Sequence, residues 1–526
     1  MDMAKTKPPI SHSKIDWPVT LIPLLMVTSL CTIFVIFPDE SRSVVDKVHY
    51  FLVSRFGAYY ILLGLGFFMM SMYVAFSKRG NIRLGNLNKP KYSNFSWGSM
   101  VFTATMAADI LFFALHEWGF YFTSMPLDFD ELSLAQRQLW ASTYPLFHWG
   151  AIPWSFFILP SAAYGYMLFV KGRSRQTLSE ACRPILGSKV DGLWGKVIDV
   201  VGIFGMIAGA ATTFSLATPL INLALNQVLG LPIDKWMTMA ILVTIAIVYT
   251  LAVVFSYKGI AYVAKLCVFF FVLLIISFLA GGNVLYTIET TATALGNLIN
   301  NFFRMATWMD PLRLSAGKGI AVGTDAAAFP QTWTVFYWAY WIAWCVATPF
   351  FIGKISEGRT IRQTILGSFV AGLGGTYASI SVFGNYGLYQ QVTGRIEVAQ
   401  QLASGVSQSE IIIDIFRTLP FPDLALGLLV IAMILFYAST FDALTMVMAT
   451  YSYKNLGKKE EPKPGMKAFW SMLFVILPVA LLFSEQTLCQ LQTVSIVAAL
   501  PISVVLIIII SGFLKESKQT AQSKEI

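Results

Sequence analysis

QTWTVFYWAYWIAWCVAT, residues 331–348, runs for eighteen positions without one charged side chain. As a helix it rises about 27 Å, close to the thickness of bilayer hydrocarbon. The stretch therefore reads as most of a membrane span over 332–353, and the composition around it agrees. Of the 526 residues 56% are hydrophobic and only 12% charged, about half the charged share of an ordinary soluble domain. No soluble core buries that much apolar surface, whereas lipid accepts it. Counting comparable runs gives twelve spans, near 17–37, 58–76, 96–124, 145–170, 197–227, 237–256, 261–283, 332–353, 364–386, 423–449, 468–484 and 490–513. Two shorter amphipathic stretches, 288–307 and 408–417, read as helices at the surface rather than crossing it.

Charge placement orients the spans. The net charge is +9, and the basic residues sit in short loops rather than in a patch suited to nucleic acid. One set of loops holds Lys78, Arg79, Arg83, Lys89 and Lys91, then Lys171, Arg173, Arg175, Arg183 and Lys189, then Lys258. Further on, the same set holds Lys354, Arg359 and Arg362, then Lys454, Lys458, Lys459, Lys463 and Lys467. The intervening loops carry Asp128, Asp130, Glu131, Asp325, Glu410 and Asp414. By the positive-inside rule both termini lie in the cytoplasm. The expected organisation is a cytoplasmic tail at 1–16, one transmembrane domain at 17–513 and a short cytoplasmic tail at 514–526. The five cysteines, Cys489 among them, are scattered without a CxxC pair, so neither a disulfide framework nor a metal site is indicated.

The aromatic residues inside the spans carry the chemistry. At 100° per residue Tyr337, Tyr340, Trp341 and Trp344 fall within about 100° of one another. A second cluster stands in FHWGAIPW, Phe147–Trp154, where Trp149 and Trp154 are followed by Phe157. Helix packing or an interfacial belt accounts for any one of these rings. Two clusters on different spans point instead to a cage for a quaternary ammonium, which has no N–H to donate. Each desolvated cation–π contact contributes about 2 kcal/mol at best. The third span, TATMAADILFFALHEWGFYF over Thr103–Phe122, puts Asp109, Phe113 and Phe120 on one face with Glu117 at its margin. A carboxylate in a span costs at least about 2.5 kcal/mol and usually lines a cavity.

WTVFYWAYW, Trp333–Trp341, closely resembles the betaine/carnitine/choline transporter (BCCT) signature W-T-x-x-Y-W-x-W-W. FPQTWTVFYWA at Phe329–Ala339, FHWGAIPW, and KISEGRT at Lys354–Thr360 are similar to family motifs in the same order. The resemblance implies an all-α, LeuT-like membrane protein. Two inverted five-helix repeats, about 96–283 and 332–484, would follow two leading helices, and the protein would assemble as a homotrimer. It also implies a cage of Trp149, Trp154, Phe157 and Trp341 with Tyr340 and Trp344 deeper; Asp109 and Phe120 join them as expected substrate-binding residues. Tyr340 departs from the family's usual Trp, and Thr332 from a small or polar residue.

Betaine carriers of the family resemble one another in having Gly where Asp109 stands, and choline carriers tend to have Asp. Choline is a net cation that gains from an anion supplied by the protein, whereas betaine brings its own carboxylate. The expected function is therefore a secondary carrier of trimethylammonium solutes in the bacterial cytoplasmic membrane, with choline first. A carnitine/γ-butyrobetaine or glycine betaine carrier or exchanger is the alternative.

Sodium-coupled relatives hold the ion with a Thr-Ser pair, matched here by Ser439–Thr440, and with backbone at positions matching Met106 and Phe436. Ordinary back-bonding of hydroxyls within a span accounts for that pair equally well. Asp109 is the corresponding candidate for proton coupling. Carnitine exchangers have Arg where Ala261 stands and Met near Thr348, which argues against simple exchange. No nucleotide-binding motif, HExxH or GxSxG occurs, so an ATP-driven pump and a membrane enzyme are both disfavoured, and no cofactor is expected.

Overall fold

Proline in the first turn opens the two leading helices, α1 (Trp17–Ile36) and α2 (Pro38–Phe76), where its missing N–H removes no intrahelical bond. In the computed structural model the chain continues through α3 (Asn94–Thr105), α4 (Asp109–Thr123), α5 (Leu134–His148) and α6 (Ala151–Phe169). Two single turns, α7 (Leu178–Ala181) and α8 (Arg183–Leu186), lead to α9 (Leu193–Leu229), α10 (Lys235–Phe255), α11 (Gly259–Gly281) and α12 (Val284–Thr307). A π-helical turn at Pro330–Thr334 runs into α13 (Val335–Ala343), followed by α14 (Ala347–Ile355) and α15 (Ile361–Ser379). Next come α16 (Asn385–Val392), α17 (Val398–Ala403), α18 (Gln408–Arg417), α19 (Pro422–Tyr451), α20 (Pro464–Leu473), α21 (Ile476–Phe483) and α22 (Leu488–Ser523).

The structure describes residues 14–523 apart from 107, 125, 128, 130, 256–258, 312–328, 455, 457–459 and 484–487. Asp128, Asp130, Asp325, Lys258, Lys458 and Lys459 lie outside the described residues, as do the side chains of Ala261 and Cys489.

The protein is all-α: among the described residues the β pairing consists of two isolated bridges, Ile15 with Tyr453 and Arg83 with Thr360. Eight helical stretches are long and apolar enough to cross a bilayer, and α13–α14, bent by 56°, makes a ninth. The other three expected spans are the interrupted pair α3–α4, then α10, then the pair α20–α21. Length and hydropathy alone do not establish those crossings, so the count of twelve is not fixed by them.

Several elements outrun their apolar cores. The fourth expected span begins at Leu134, because Ser133 and Gln136 form a reciprocal cap and polar residues extend the helix beyond the lipid-length run. The expected tail from 514 is instead the last part of α22, where Lys515, Glu516, Lys518 and Gln519 favour helix. It is docked, not free: Glu516 pairs with Arg173, and the Thr520 and Tyr166 hydroxyls are 2.6 Å apart. Both amphipathic stretches are helical, as α12 and α18.

Two interruptions position the site. Helix α3 ends at Met106, whose backbone is extended (φ −93°, ψ 105°), and α4 starts at Asp109. The second lies between Ala343 and Ala347. Each falls in the first span of an expected five-helix block. Around them the packing is close enough to require glycine: a Cβ on Gly353 of α14 would stand 2.7 Å from the Ser161 carbonyl of α6.

The basic loops meet at one end of the bundle. The Leu84 amide donates to the Arg359 carbonyl at 2.8 Å, and Arg83 Nη1 donates to the Gly358 carbonyl at 2.7 Å. The Leu178 amide donates to Tyr451 Oη at 2.9 Å, and the Asp16 amide to the Ser452 carbonyl at 2.8 Å. This is the face that the positive-inside rule assigns to the cytoplasm.

Candidate functional site

Helix α13 carries its aromatic stripe against α4 and α6, and there the two predicted clusters merge. The Trp341 ring lies 4.9 Å from Phe157, 5.5 Å from Trp154 and 5.7 Å from Trp149, centroid to centroid. Trp154 and Phe157 stand 6.3 Å apart at 86°. Planes inclined at 60–86°, as in the Trp149–Trp341, Trp154–Trp341 and Trp154–Phe157 pairs, are the walls of a corner rather than a stack. All four rings are buried, and the indole N–H groups of Trp154 and Trp341 have no hydrogen-bond partner. Gly372 of α15 makes room for Trp154, since any side chain there would collide with the indole.

Asp109 adjoins this cluster through one residue. Its carboxylate, buried at the first position of α4, accepts a hydrogen bond from Tyr340 Oη, and Tyr340 in turn contacts Thr213 Oγ1 at 2.8 Å. The start of a helix presents unfilled N–H groups that favour an anion. Among the described residues no Lys or Arg forms an ion pair with Asp109. Phe113, one turn along α4, fills the space between: its ring is 5.7 Å from Trp149 and 6.5 Å from Tyr340.

A buried polar network holds the far wall. Glu117 Oε2 accepts from the Trp149 indole N–H at 2.7 Å, and Oε1 accepts from Tyr121 Oη at 2.6 Å. Tyr121 Oη also lies 2.7 Å from His148 Nδ1, whose Nε2 is 3.1 Å from Thr334 Oγ1. Tyr337 stacks on His148 at 4.7 Å. The network fixes the ring of Trp149 through a carboxylate about two turns from Asp109.

Two further expected residues stand outside the four-ring corner. Phe120 packs on Trp333 at 4.8 Å, toward the π-helical turn, and does not touch the cage. Trp344 lies at the end of α13, one turn beyond Tyr340 and beside it, 6.4 Å from Phe441 and against Gly209 of α9.

The expected ion-coupling residues do converge. Thr440 Oγ1 lies 3.2 Å from the Thr103 carbonyl and 3.5 Å from the Met106 carbonyl, and Ser439 Oγ lies 3.3 Å from Thr103 Oγ1. Oxygens bound at about 2.4 Å to a hard cation stand about 3.4 Å apart at right angles, so this spacing suits such a cation. Phe436 is in the same helix, its ring against Phe102 and Phe271 at 6.0 and 6.2 Å. Thr103 and Thr213 were not anticipated. In the sequence a lone Thr in a span carries no signal, because its hydroxyl normally returns to the preceding turn, as Thr103 does to the Ser99 carbonyl at 2.9 Å. Phe113 was legible as sharing the Asp109 face.

The BCCT family model, described as "betaine/carnitine/choline family transporter", matches residues 18–522. The glycine betaine transporter of Bacillus subtilis is 29% identical to this chain over 93% of it and 92% of that protein. The osmo-dependent choline transporter of Acinetobacter baylyi is 26% identical over 94% of this chain and 69% of that protein. A carnitine transporter of Acinetobacter baumannii is 26% identical over 93% and 88%.

Proposed function

The chain belongs to the betaine/carnitine/choline (BCCT) family of transporters, and from that premise we propose that it is a secondary carrier whose preferred trimethylammonium substrate is choline. The observation that carries this reading is the buried Asp109 carboxylate, tied through Tyr340 to the ring cluster of Trp149, Trp154, Phe157 and Trp341. A methylated nitrogen takes the π-faces, and the carboxylate balances a charge that choline itself does not neutralise. The substrate sits near the two helix breaks, which belong to different five-helix blocks; rocking one block against the other exposes it to each side in turn.

Sodium is the proposed coupling ion, held by Ser439, Thr440, Thr103 and the Met106 carbonyl, with Phe436 backbone beside them. Proton coupling through Asp109 is the competing mode. The proposed setting is the bacterial cytoplasmic membrane, with both termini inside and three copies assembled as a homotrimer.

Proteoliposome uptake of labelled choline, carnitine and glycine betaine tests the substrate, with sodium, proton and preloaded-substrate gradients imposed separately. Wild type is expected to take up choline with the lowest KM. Asp109→Gly should lower kcat/KM for choline relative to glycine betaine about tenfold, the equivalent of about 1.4 kcal/mol of charge recognition. An unchanged ratio removes Asp109 as the specificity determinant.

A further inference from the structure

At the basic end of the bundle a cavity of about 530 Å³ opens beside the end of α14, lined in part by Lys91, Gln176, Lys354 and Glu357. Through Gly85, Asn86, Leu87 and Phe169 it is continuous in lining with a second cavity of about 550 Å³ that includes Arg83. Gly85 has φ +84°, a left-handed turn that brings Asn86 and Leu87 round to face both spaces.

The polar groups of the first cavity include donors with unused capacity. Gln176 is 3% exposed; its Oε1 accepts from Lys354 Nζ at 3.3 Å, which directs Nε2 elsewhere, and Nε2 has no partner. Among the described residues Lys354 and Lys91 form no ion pair, although Glu357 shares the lining. The nearby Lys467 is already paired with Glu461 at 2.9 Å. Over the two cavities three cationic side chains, Arg83, Lys91 and Lys354, stand against the one lining carboxylate of Glu357, with Glu461 acting on Lys354 from beyond the lining and Arg83 already donating to the Gly358 carbonyl. Such a donor set repels a quaternary ammonium and suits an oxyanion, which offers several acceptors to lysine and amide N–H groups.

We propose that this cleft is a second ligand site, separate from the aromatic cage, which binds a phosphate-type anion through Lys354, Lys91 and Gln176. The three donors come from the end of α14, the loop before α3 and the loop after α6. An anion held there therefore ties together ends of both five-helix blocks. The phosphate belongs either to a soluble phosphate or to an anionic lipid headgroup, and the two sources are separable by experiment.

The full chain, reconstituted in nanodiscs of phosphatidylcholine alone, is titrated calorimetrically with inorganic phosphate. In parallel, retention of phosphatidylglycerol from mixed nanodiscs is measured by native mass spectrometry. Both measurements are repeated with Lys354→Gln and with Lys91→Gln, the latter exposed and safe for folding. Binding of phosphate that weakens about tenfold or more in the variants identifies a soluble ligand. Lipid retention that falls in the variants, with no response to free phosphate, identifies the headgroup. If neither measurement separates wild type from Lys91→Gln, the site does not exist, whether or not Lys354→Gln folds.

Discussion

Glu117 is the residue whose chemistry is most constrained by its surroundings. Both its oxygens are committed, one to the Trp149 indole and one to the Tyr121 hydroxyl. Replacing it with Leu orphans the buried Trp149 indole N–H, at about 1–3 kcal/mol, and leaves Tyr121 with His148 as a partner. Gln is different: its Oε1 still accepts from Trp149. Its amide can donate to Tyr121, which turns its own proton toward His148 Nδ1, 2.7 Å away. Glu117→Gln is therefore expected to keep the melting temperature within a few degrees and the choline KM within about threefold. Glu117→Leu should lower the melting temperature and raise KM together, because Trp149 loses its anchor. A fluorescence melt and choline uptake on both variants check this. Equal behaviour of the two would mean that the carboxylate positions nothing.

At the scale of elements, function concentrates where helices stop. The break after α3 frees the Met106 carbonyl, and α19 brings Ser439 and Thr440 to it. Ser439→Ala and Thr440→Val each remove one oxygen from this cluster without leaving a missing methyl group in the apolar packing. Each is expected to raise the sodium concentration for half-maximal choline uptake about tenfold while leaving binding measured at saturating sodium intact. Uptake that is indifferent to sodium in wild type and in both variants removes sodium from the mechanism and leaves proton coupling or substrate exchange.

The same scale explains how much was legible beforehand. The meeting of Trp149, Trp154, Phe157 and Trp341 was implied by the family resemblance; helical spacing alone fixes which side chains share a face within one element, and Trp149 caps α5 while Trp154 and Phe157 stand on α6. Trp344 obeys the same 100° rule but stands one turn beyond Tyr340, against Gly209 and Phe441, just before the 56° bend between α13 and α14. Phe120 shared the Asp109 face, but three turns of rise carried it to Trp333. Angle was readable; axial distance and partner were not. The extension of α22 was missed for a related reason: hydropathy marks where lipid ends, not where helix ends.

For the whole molecule the open question is what covers α12. Its buried side presents Thr287, Thr290, Ala294, Leu298 and Met305 to the bundle. On the opposite side Leu285, Ile288, Ile299 and Phe303 fall within about 60° of one another at 100° per residue, and all are exposed, Ile299 by 77%. Glu289 and Asn300 border that row, with Arg304 further round, so α12 is too polar to lie immersed in hydrocarbon. A lateral apolar row on a polar helix is better suited to another protein surface, and the proposed homotrimer supplies one. Burying a large apolar side chain contributes about 1.5–3 kcal/mol, so three charges across the row should outweigh a modest subunit interface. The triple variant Leu285→Glu, Ile299→Glu, Phe303→Glu is expected to run as a monomer in native mass spectrometry, with Ile299→Glu alone giving a mixture. Because none of these residues touches the cage, the monomer should still bind choline with wild-type affinity. A triple variant that stays trimeric places the interface elsewhere and leaves this row to the lipid headgroups.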